Sequence, residues 1–506
     1  MPSERFNIST LVDVNLDAGR GDKAAFRGCD EQITYRELHR RMCAMGRALR
    51  ALGVRREQRV LLVLDDSPVF PVAFLGANRI GAVPVPVNPR SRSDDFRFFV
   101  EDSHAPVVIA EPSLRTELDA ALAGVDVTIV SAGADGSALT LPDLLGEHAG
   151  QLEATDTHGQ DMGFWLYSSG STGRPKGVVH TQDHVAATCE CYAGPILGVT
   201  EDDVHFSSTK LFHAYGLGNG LTFPLWFGGS AVLLGGRPTP DAVLETAERF
   251  RPTLFFSVPT LYNAMLRSPG AGKRDLSSVR LCASAAEPLP AEVWRNWRDA
   301  YGLTILDGIG STEMLHIYCT NRVDAAKPGS SGAAVPGYEI KLLGPDGDEV
   351  ATDEPGDMYV KGESMLASYW HRRDKNKASL HGEWYFTGDR YRRDQDGFFW
   401  YEGRADDMMK VGGLWVSPIE IENTLLEHPD VLEAAVVGVP VEGLVKIKAF
   451  VVADQQPVAD ALGDRLQAWC KQHLQRYQFP QFVEFVDDLP KTTTGKIQRY
   501  KLRARG

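Results

Sequence analysis

The chain has 506 residues, of which 43% are apolar and 24% charged, and a formal net charge of -14. This length exceeds one hydrophobic core and predicts several core-sized units. The negative charge disfavours nonspecific binding to nucleic acid or to an anionic membrane, since both need a positive field. No apolar run approaches a membrane helix and no secretory signal is visible, so we expect a cytoplasmic protein that does not span a membrane.

The cysteines and two closely spaced histidines do not have the pattern of a metal site. Seven cysteines form no Cys-x-x-Cys pair, which is typical of reduced thiols in an intracellular protein. Cys189 and Cys191 stand two positions apart, and His180 and His184 are one helical turn apart, but no second ligand pair accompanies them. We interpret these residues as packing residues and predict no metal cage.

The first third of the chain has the pattern of an α/β layer. Thr34 and Glu37 form a capping box, and apolar residues then recur at helical spacing until Gly53, which predicts a helix. Strand-like and helical runs alternate after it, at 60–64, 69–80, 83–87 and 107–110. This alternation predicts a parallel sheet. Residues 111–160 predict no particular element.

A loop rich in glycine and hydroxyl groups, residues 167–180, follows a strand-like run at 164–166. Its glycines let backbone N–H groups turn inward, and Lys176 adds a charge that matches phosphoryl oxygens, so the loop predicts a phosphate site. It is not a Walker P-loop, because two residues separate Gly173 from Lys176. A flexible linker is disfavoured, because strand-like Val178 and Val179 follow at once.

The middle of the chain repeats the α/β pattern and then changes. Further runs occur at 231–234, 240–250, 254–257, 279–283 and 303–306. Polar turns at 284–288 and 307–313 directly follow strands, so we expect both turns and the central loop to face one crevice. From about residue 327, short β-type runs separated by Pro/Gly/Asp turns predict a small β subdomain.

The last hundred residues predict a separate α+β unit. A charged turn at 403–407 is a candidate hinge, and a helix is expected at 419–426. The remaining predicted elements are strands at 434–439, 447–452 and 482–486 and a helix at 459–474. The tail from 491 to 506 carries six basic residues and no acidic one.

Seven stretches, in this order along nearly the whole chain, resemble motifs of the adenylate-forming superfamily of acyl-CoA synthetases, peptide-synthetase adenylation domains and luciferases. They are Tyr167 to His180, Phe212-His213, Gly308 to Glu313, Gly356 to Gly362, Tyr385 to Asp389, Gly403 to Asp406 and Pro490 to Lys496. Within the superfamily the chain is most similar to benzoate-CoA ligases, through residues 214–219, 308–316 and 415–418.

The resemblance implies an α/β fold in two parts. Residues 1–404 would form a large N-terminal domain of two α/β subdomains plus a small β subdomain, and residues 405–506 a small mobile α+β domain. Two residues depart from the benzoate-ligase pattern: His213 stands where those ligases usually have a second Phe, and Ala286 where they have Gly.

The implied chemistry has two steps and uses ATP, Mg²⁺ and CoA. A carboxylate attacks the α-phosphorus of ATP to give an acyl-adenylate and pyrophosphate, and a thiol then displaces AMP. Such chemistry depends on holding the two anionic reactants in line and on stabilising the charge that develops between them. Lys496 would contact the carboxylate and α-phosphate, Glu313 would hold Mg²⁺, Thr312 would bond the α-phosphate, and Lys176 would orient pyrophosphate.

The resemblance also implies the nucleotide-binding residues. They are Ser168, Ser169, Gly170, Ser171, Thr172, Gly173, Lys176, Glu287, Asp307, Gly308, Asp389 and Arg404. Asp389 would accept from both ribose hydroxyls, with Arg404 nearby. Asp406 matches the hinge about which the C-terminal domain turns, although a plain surface turn is an alternative. Gly412 and Gly413 would line the CoA tunnel.

An aryl pocket is expected around Ala214, Tyr215, Gly310, His316 and Ile317, with His213 beside them. Small residues there leave room for a flat ring. His213 lies either near the substrate carboxylate or in a structural position, and His316 has the same two interpretations. If His316 lines the pocket, it could bond a ring hydroxyl or amine, and such a site would penalise the unsubstituted acid.

The predicted partners are an aryl carboxylic acid, ATP and CoA. Alternatives are a stand-alone enzyme that loads an aryl acid onto a carrier protein, and a medium-chain acyl-CoA synthetase. An inactive scaffold is disfavoured because Lys176, Glu313, Asp389 and Lys496 are all present. Lys496 also resembles lysines that an acetyltransferase modifies in related ligases. A monomer and a homodimer both remain open.

Overall fold

The structure is a computed structural model that describes residues 4–28, 31–168, 174–404, 407–411, 414–441, 444–454, 458, 461–475, 477–491 and 497–505. Within these ranges the chain forms mixed α/β layers up to residue 404 and a smaller α+β unit after residue 407. The predicted fold class is therefore confirmed, whereas the domain boundary at 404 and 405 stays a prediction. No helix in the described ranges has the length and apolar character needed to cross a membrane.

The first 150 residues build a parallel sheet with helices packed on it. In chain order the elements are α1 (Thr10–Asp17), β1 (Ala24–Arg27), β2 (Gln32–Thr34), α2 (Tyr35–Ala51), β3 (Arg59–Val63), α3 (Val69–Arg79), β4 (Val83–Pro86), α4 (Ser93–Ser103), β5 (Val107–Ala110), a 3₁₀ turn (Pro112–Leu114), α5 (Arg115–Ala121), β6 (Thr128–Ser131) and α6 (Leu141–Glu147). Within the described residues the sheet order is β4-β3-β5-β6, and all pairs are parallel. The predicted parallel layer is confirmed. Its fourth strand, β6, comes from residues 111–160, for which the sequence predicted no element.

Helix α2 shows how local sequence fixes this layer. The Thr34 hydroxyl accepts a hydrogen bond from the Glu37 N–H at 3.2 Å, as the capping box predicts. The apolar face of α2, which includes Met42 and Met45, is buried. A Cβ at Gly76 of α3 would lie 2.4 Å from Met45 Cγ, so the glycine allows the two helices to approach closely.

The second layer carries most of the candidate site. Its elements are β7 (Met162–Ser168), β8 (Lys176–Thr181), α7 (His184–Thr188), a π-helix (Cys189–Ala193), β9 (Val204–Ser207), α8 (Ala214–Leu217), a second π-helix (Gly218–Thr222), α9 (Phe223–Phe227), β10 (Ser230–Val232), α10 (Pro240–Phe250), β11 (Leu254–Ser257), α11 (Pro259–Arg267), β12 (Leu281–Ser284), α12 (Ala291–Tyr301), β13 (Ile305–Gly310), β14 (Ile317–Thr320) and β15 (Ala333–Ala334).

Among the described strands this layer contains a nine-stranded sheet in the order β15-β14-β13-β12-β11-β9-β10-β1-β2. The strands from β1 to β13 along this order run parallel, and β2, β14 and β15 add antiparallel edges. Because β12 and β13 are parallel neighbours, their carboxyl ends lie at one edge of the sheet. The pairing of β1 with β10 joins the start of the chain to this sheet and was not predicted.

The small β subdomain and the C-terminal unit complete the fold. Their elements are β16 (Glu339–Leu343), β17 (Gly356–Lys361), β18 (Ser368–Tyr369), α13 (Arg373–Ser379), β19 (Leu380–His381), β20 (Trp384–Arg393), β21 (Phe399–Arg404), β22 (Met409–Val411), β23 (Leu414–Val416), α14 (Pro418–Leu426), β24 (Val431–Val441), β25 (Leu444–Ala453), α15 (Leu462–His473), β26 (Phe482–Phe485) and α16 (Arg499–Arg503). In the described residues β16-β17-β20-β19 form a sheet with β21 on β20, and β24-β25-β26 form another. The predicted α+β unit is confirmed.

The cysteines that the structure describes are free thiols, and all of them except Cys191 are buried. Cys29 lies outside the described residues. The interpretation as packing residues is confirmed for the five buried cysteines among the six described.

Candidate active site

The predicted phosphate loop joins two antiparallel strands, β7 and β8. Ser168 is paired with Lys176 at the loop end of the hairpin, and Tyr167 is paired with Gly177. The side chains of Ser168 and Lys176 are partly exposed there. The loop residues themselves, Ser169, Gly170, Ser171, Thr172 and Gly173, lie outside the described residues. The structure therefore fixes the base of the predicted loop.

Helix α4 holds this hairpin on both sides of the loop. Asp102 accepts a hydrogen bond from the Tyr167 hydroxyl at 2.9 Å and pairs with Arg372 at 2.8 Å. The Arg174 guanidinium lies 5.5 Å from the Phe98 ring centroid. Burial raises the pKa of Tyr167, so its hydroxyl stays a neutral donor. These contacts anchor the chain just before and just after the loop, and local sequence gave no signal of Asp102.

The end of β13 carries Asp307, Gly308 and Gly310. The Asp307 side chain is buried, and burial raises its pKa well above the usual range. A Cβ at Gly308 would lie 2.7 Å from the Cys319 carbonyl oxygen, and one at Gly310 would lie 2.6 Å from the His316 carbonyl oxygen. Only glycine permits this close hairpin between β13 and β14.

The turn after β13 contacts the central hairpin. His180 Nε2 is 2.8 Å from the Thr312 carbonyl oxygen, and because a carbonyl only accepts, this nitrogen donates. Burial lowers the pKa of His180 to about 4, so the ring is neutral. Its Nδ1 lies 2.9 Å from Nδ1 of buried His184. The two histidines bond each other, and His180 also bonds the backbone, in agreement with their interpretation as structural residues.

Glu313 is placed beside β18. Its Oε1 accepts a hydrogen bond from the Tyr369 hydroxyl at 3.0 Å, and its carbonyl accepts from Leu366 N–H at 2.7 Å. Strand β18 pairs with β8 through Ser368, so the Glu313 turn, the 366–370 segment and the phosphate hairpin meet at one place. The pairing of β18 with β8 rather than with its own sheet creates this junction.

Asp389 and Arg404 face each other across β20 and β21. Arg404 Nη1 lies 3.1 Å from Asp389 Oδ1 and donates to the Thr387 carbonyl at 3.1 Å. The two residues are cross-strand partners in the sheet. Their predicted proximity is confirmed, whereas their contact with ribose stays a prediction.

Glu287 and Ala286 lie in the turn after β12. The Glu287 carboxylate accepts hydrogen bonds from the Thr260 hydroxyl and N–H, which fix it at the start of α11. Ala286 has a φ of 80°, a conformation that favours glycine. A residue with a Cβ is strained in this conformation, so Ala286 adds backbone strain to the turn beside Glu287, where glycine would not.

Of the predicted aryl-pocket residues, Tyr215, Gly310 and Ile317 lie next to His316. Ala214, Tyr215 and His316 are buried, and Ile317 follows directly in β14. His213 stands at the N-cap of α8 with its ring 4.5 Å from that of Phe212.

His316 lies in a cluster of aromatic rings. Its ring centroid is 4.6 Å from that of Phe223, 5.0 Å from Tyr192 and 5.4 Å from Tyr215. Its Nε2 is 3.2 Å from Oδ1 of buried Asn219. Burial lowers the pKa of His316 to about 3, so the ring is neutral. Asn219 was not singled out from sequence, although it ends the 214–219 motif.

The predicted catalytic lysine, hinge and tunnel glycines fall outside the described residues. They are Lys496, Asp406, Gly412 and Gly413. The flanks of the lysine segment are anchored: Lys491 pairs with Glu433 at 2.6 Å, and Arg499 pairs with buried Glu422 at 2.7 Å. Arg499 also lies 3.7 Å from Asp407, next to the predicted hinge. Ion pairs thus connect the end of the chain to the start of the C-terminal unit.

Comparison with known proteins agrees with these motifs. The AMP-binding enzyme family matches residues 15–370, and the AMP-binding enzyme C-terminal domain matches residues 420–496. The benzoate-CoA ligase of Thauera aromatica is 46% identical over 508 residues, covering 99% of this chain and 96% of that protein.

Two solved structures are similar over nearly the whole chain. A benzoate CoA ligase from Burkholderia xenovorans LB400 superposes with a TM-score of 0.93 at 44% identity, covering 98% of this chain and 100% of that one. An anthranilate CoA ligase in complex with anthranoyl-AMP superposes with a TM-score of 0.96 at 38% identity, covering 100% and 98%. The chain therefore belongs to the AMP-binding enzyme family, as its motifs predict.

Proposed function

We propose that this protein is an ATP-dependent aryl-acid-CoA ligase that converts benzoate or a substituted benzoate to its CoA thioester. The observation that carries this function is the meeting of the phosphate hairpin, the Glu313 turn and β18, with the aromatic cluster around His316 on the same β13–β14 hairpin. Full-length similarity to benzoate-CoA ligases supports it.

In the first step a carboxylate oxygen of the acid attacks the α-phosphorus of ATP, and the bond from that phosphorus to pyrophosphate breaks. Lys496 donates charge-assisted hydrogen bonds to the carboxylate and the α-phosphate, and Thr312 adds a donor. Lys176 at the base of the hairpin orients the leaving pyrophosphate. In the second step the CoA thiol attacks the acyl carbon, and AMP leaves.

Asp389, held by Arg404, accepts hydrogen bonds from the two ribose hydroxyls. Glu287, Asp307 and Gly308 lie near the ends of β12 and β13, at the edge where open α/β sheets bind nucleotides. Burial raises the pKa of Asp307 and so favours its uncharged form, which suits a position close to an uncharged base rather than to phosphate.

Magnesium fits the residues present. Glu313 supplies a half-buried carboxylate whose Oε1 is oriented by Tyr369. In the described part of the chain no group of three His, Cys, Asp or Glu side chains could hold a metal ion by itself. Mg²⁺ in such a setting takes one carboxylate and several phosphate and water oxygens. Bound there, the ion would supply charge stabilisation for the triphosphate.

The proposal also includes a rotation of the C-terminal unit and CoA as the thiol acceptor. The C-terminal unit from 405 onward turns about Asp406 after adenylation and exchanges Lys496 for a channel beside Gly412 and Gly413. The CoA phosphates need cations, and the basic tail offers fewer than its composition would allow, because Lys491, Arg499 and Arg503 are paired with acidic side chains.

The function is tested by measuring AMP release with and without CoA for benzoate, hydroxybenzoates, aminobenzoates, cinnamates and medium-chain fatty acids. We expect turnover only with benzoates and only when CoA is present. Turnover with fatty acids above all others would remove the aryl assignment. Pyrophosphate release with no thioester from free CoA would favour the carrier-protein alternative.

A further inference from the structure

One carboxylate, Asp102 at the end of helix α4, bonds two segments that border the predicted phosphate site. Its Oδ2 accepts a hydrogen bond from the Tyr167 hydroxyl at 2.9 Å, and its Oδ1 accepts one from Arg372 Nη2 at 2.8 Å. Its backbone carbonyl oxygen accepts a third from Trp370 Nε1 at 3.0 Å. The Asp102 side chain is only 9% exposed, so these protein groups take the place of water as its partners.

The position of Asp102 is unfavourable for its own helix. The last turn of an α-helix leaves carbonyl oxygens without helical partners, and these oxygens repel a carboxylate. Glu101 and Asp102 both stand in the last turn of α4, and that turn, which lies wholly within the described residues, contains no basic side chain. Asp102 is therefore stabilised by its bonds to Tyr167 and Arg372, outside the helix.

The bond to Tyr167 reaches the base of the phosphate hairpin. Tyr167 pairs with Gly177 across β7 and β8, and the next residue, Ser168, pairs with Lys176. Within the described residues the hairpin belongs to the sheet β18-β8-β7, whereas α4 packs on the first layer. Because Ser168 and Lys176 directly adjoin the anchored pair, Asp102 sets where Lys176 stands relative to the first layer.

The bond to Arg372 reaches the segment that orients Glu313. Arg372 lies three positions after Tyr369, whose hydroxyl donates to Glu313 Oε1 at 3.0 Å. Trp370, between them, donates its indole N–H to α4 and its backbone N–H to the Gly177 carbonyl oxygen, at 2.9 Å. Helix α4 therefore fixes this segment too, and with it the carboxylate of Glu313.

We propose that Asp102 is a positioning residue for adenylation, which sets the distance between Lys176 and Glu313. The inference rests on the proposed ligase function, in which Lys176 orients the leaving pyrophosphate and Glu313 holds Mg²⁺ on the triphosphate. Both groups act on phosphates that ATP has and AMP lacks, so a change in their spacing should weaken binding of ATP and spare AMP. A misplacement of about 1 Å in such a site can lower a rate about 100-fold.

The test measures the Kd for α,β-methylene-ATP and for AMP by calorimetry in the wild type and in Asp102→Asn. The amide keeps the size of the side chain but removes the charge that pairs with Arg372. We expect the Kd for the ATP analogue to rise about tenfold and the Kd for AMP to stay unchanged. Pyrophosphate release should fall by a similar factor, whereas thioester formation from supplied benzoyl-AMP should persist. A general structural defect would weaken both nucleotides and both half-reactions.

Glu101→Gln is the matched control, because it removes the neighbouring charge on α4, whose ion pair is with Arg97 of the same helix at 3.3 Å. Both Kd values should match the wild type. An unchanged Kd for the ATP analogue in Asp102→Asn, or an equal rise for AMP, would overturn the proposal. If Asp102→Asn does not fold, Tyr167→Phe and Arg372→Gln decide: a rise confined to the ATP analogue in either supports it, and no rise in both overturns it.

The binding test and the proposed function fail separately, because the Kd values are measured without an acid. Failure of the wild type to activate any benzoate would refute the aryl-acid ligase function and leave the nucleotide result readable.

Discussion

Replacing Lys496 by alanine should abolish formation of the acyl-adenylate, with a loss of about 100-fold or more in pyrophosphate release from ATP and benzoate. The proposed lysine is the charge that bridges the carboxylate and the α-phosphate as the bond between them forms. Thioester formation from supplied benzoyl-AMP and CoA should be largely retained, because the proposed mechanism assigns this lysine no part in the thiol step.

The two half-reactions are measured separately, by pyrophosphate release and by consumption of benzoyl-AMP. Lys501→Ala is the control, since it removes an exposed lysine on α16 from the same tail. It should leave both half-reactions near the wild-type rate. Unchanged pyrophosphate release in Lys496→Ala would remove Lys496 from the mechanism.

The second large effect is expected at Glu313. Glu313→Gln keeps the shape of the side chain and its acceptor for the Tyr369 hydroxyl but removes the charge that would hold Mg²⁺. We expect adenylation to fall about 100-fold at saturating ATP, and higher Mg²⁺ concentrations to restore part of it. The measurement is the initial rate of pyrophosphate release over a Mg²⁺ titration.

Tyr369→Phe separates charge from orientation, because it removes the hydroxyl that donates to Glu313 Oε1 and leaves the carboxylate charge in place. A loss of about tenfold or less is expected for it, since one neutral donor is removed. If Glu313→Gln showed the wild-type dependence on Mg²⁺, the assignment of the metal to this carboxylate would be wrong.

Local sequence predicted much of the fold because many elements carry their own signals. The helix capped by Thr34 and the helix at Pro240–Phe250 are found where periodicity and caps place them. The βα alternation also predicted the parallel layers, since such connections require crossovers. Caps, periodicity and βα alternation depend on residues that are close in the sequence, so they can be read from one sequence alone.

Features that depend on distant pairing were not predictable in this way. Strand β1 joins β10 across about two hundred residues, and β18 leaves its own subdomain to pair with β8. Neither strand differs in composition from one that pairs nearby. The edge strand β6 lies in a stretch rich in small and acidic residues, where the apolar signal is weak.

The candidate site shows the same division. Glycines, the central lysine and the ordered acidic motifs were recognisable because the chemistry requires those residue types. The contacts of Asp102 with the hairpin and of Asn219 with His316 were not recognisable from the sequence. Each is an ordinary polar residue whose role comes from a three-dimensional contact. Ala286 was recognised as a departure, and its φ of 80° gives the physical reason.

The most direct test of the central claim follows the carboxylate oxygen. Benzoate labelled with ¹⁸O in both carboxylate positions is incubated with the protein, ATP, Mg²⁺ and CoA, and the products are analysed by mass spectrometry. Attack on the α-phosphorus predicts one ¹⁸O in AMP, none in pyrophosphate, and the other in benzoyl-CoA. Unlabelled AMP, or label in orthophosphate with ADP as the nucleotide product, would contradict an acyl-adenylate mechanism.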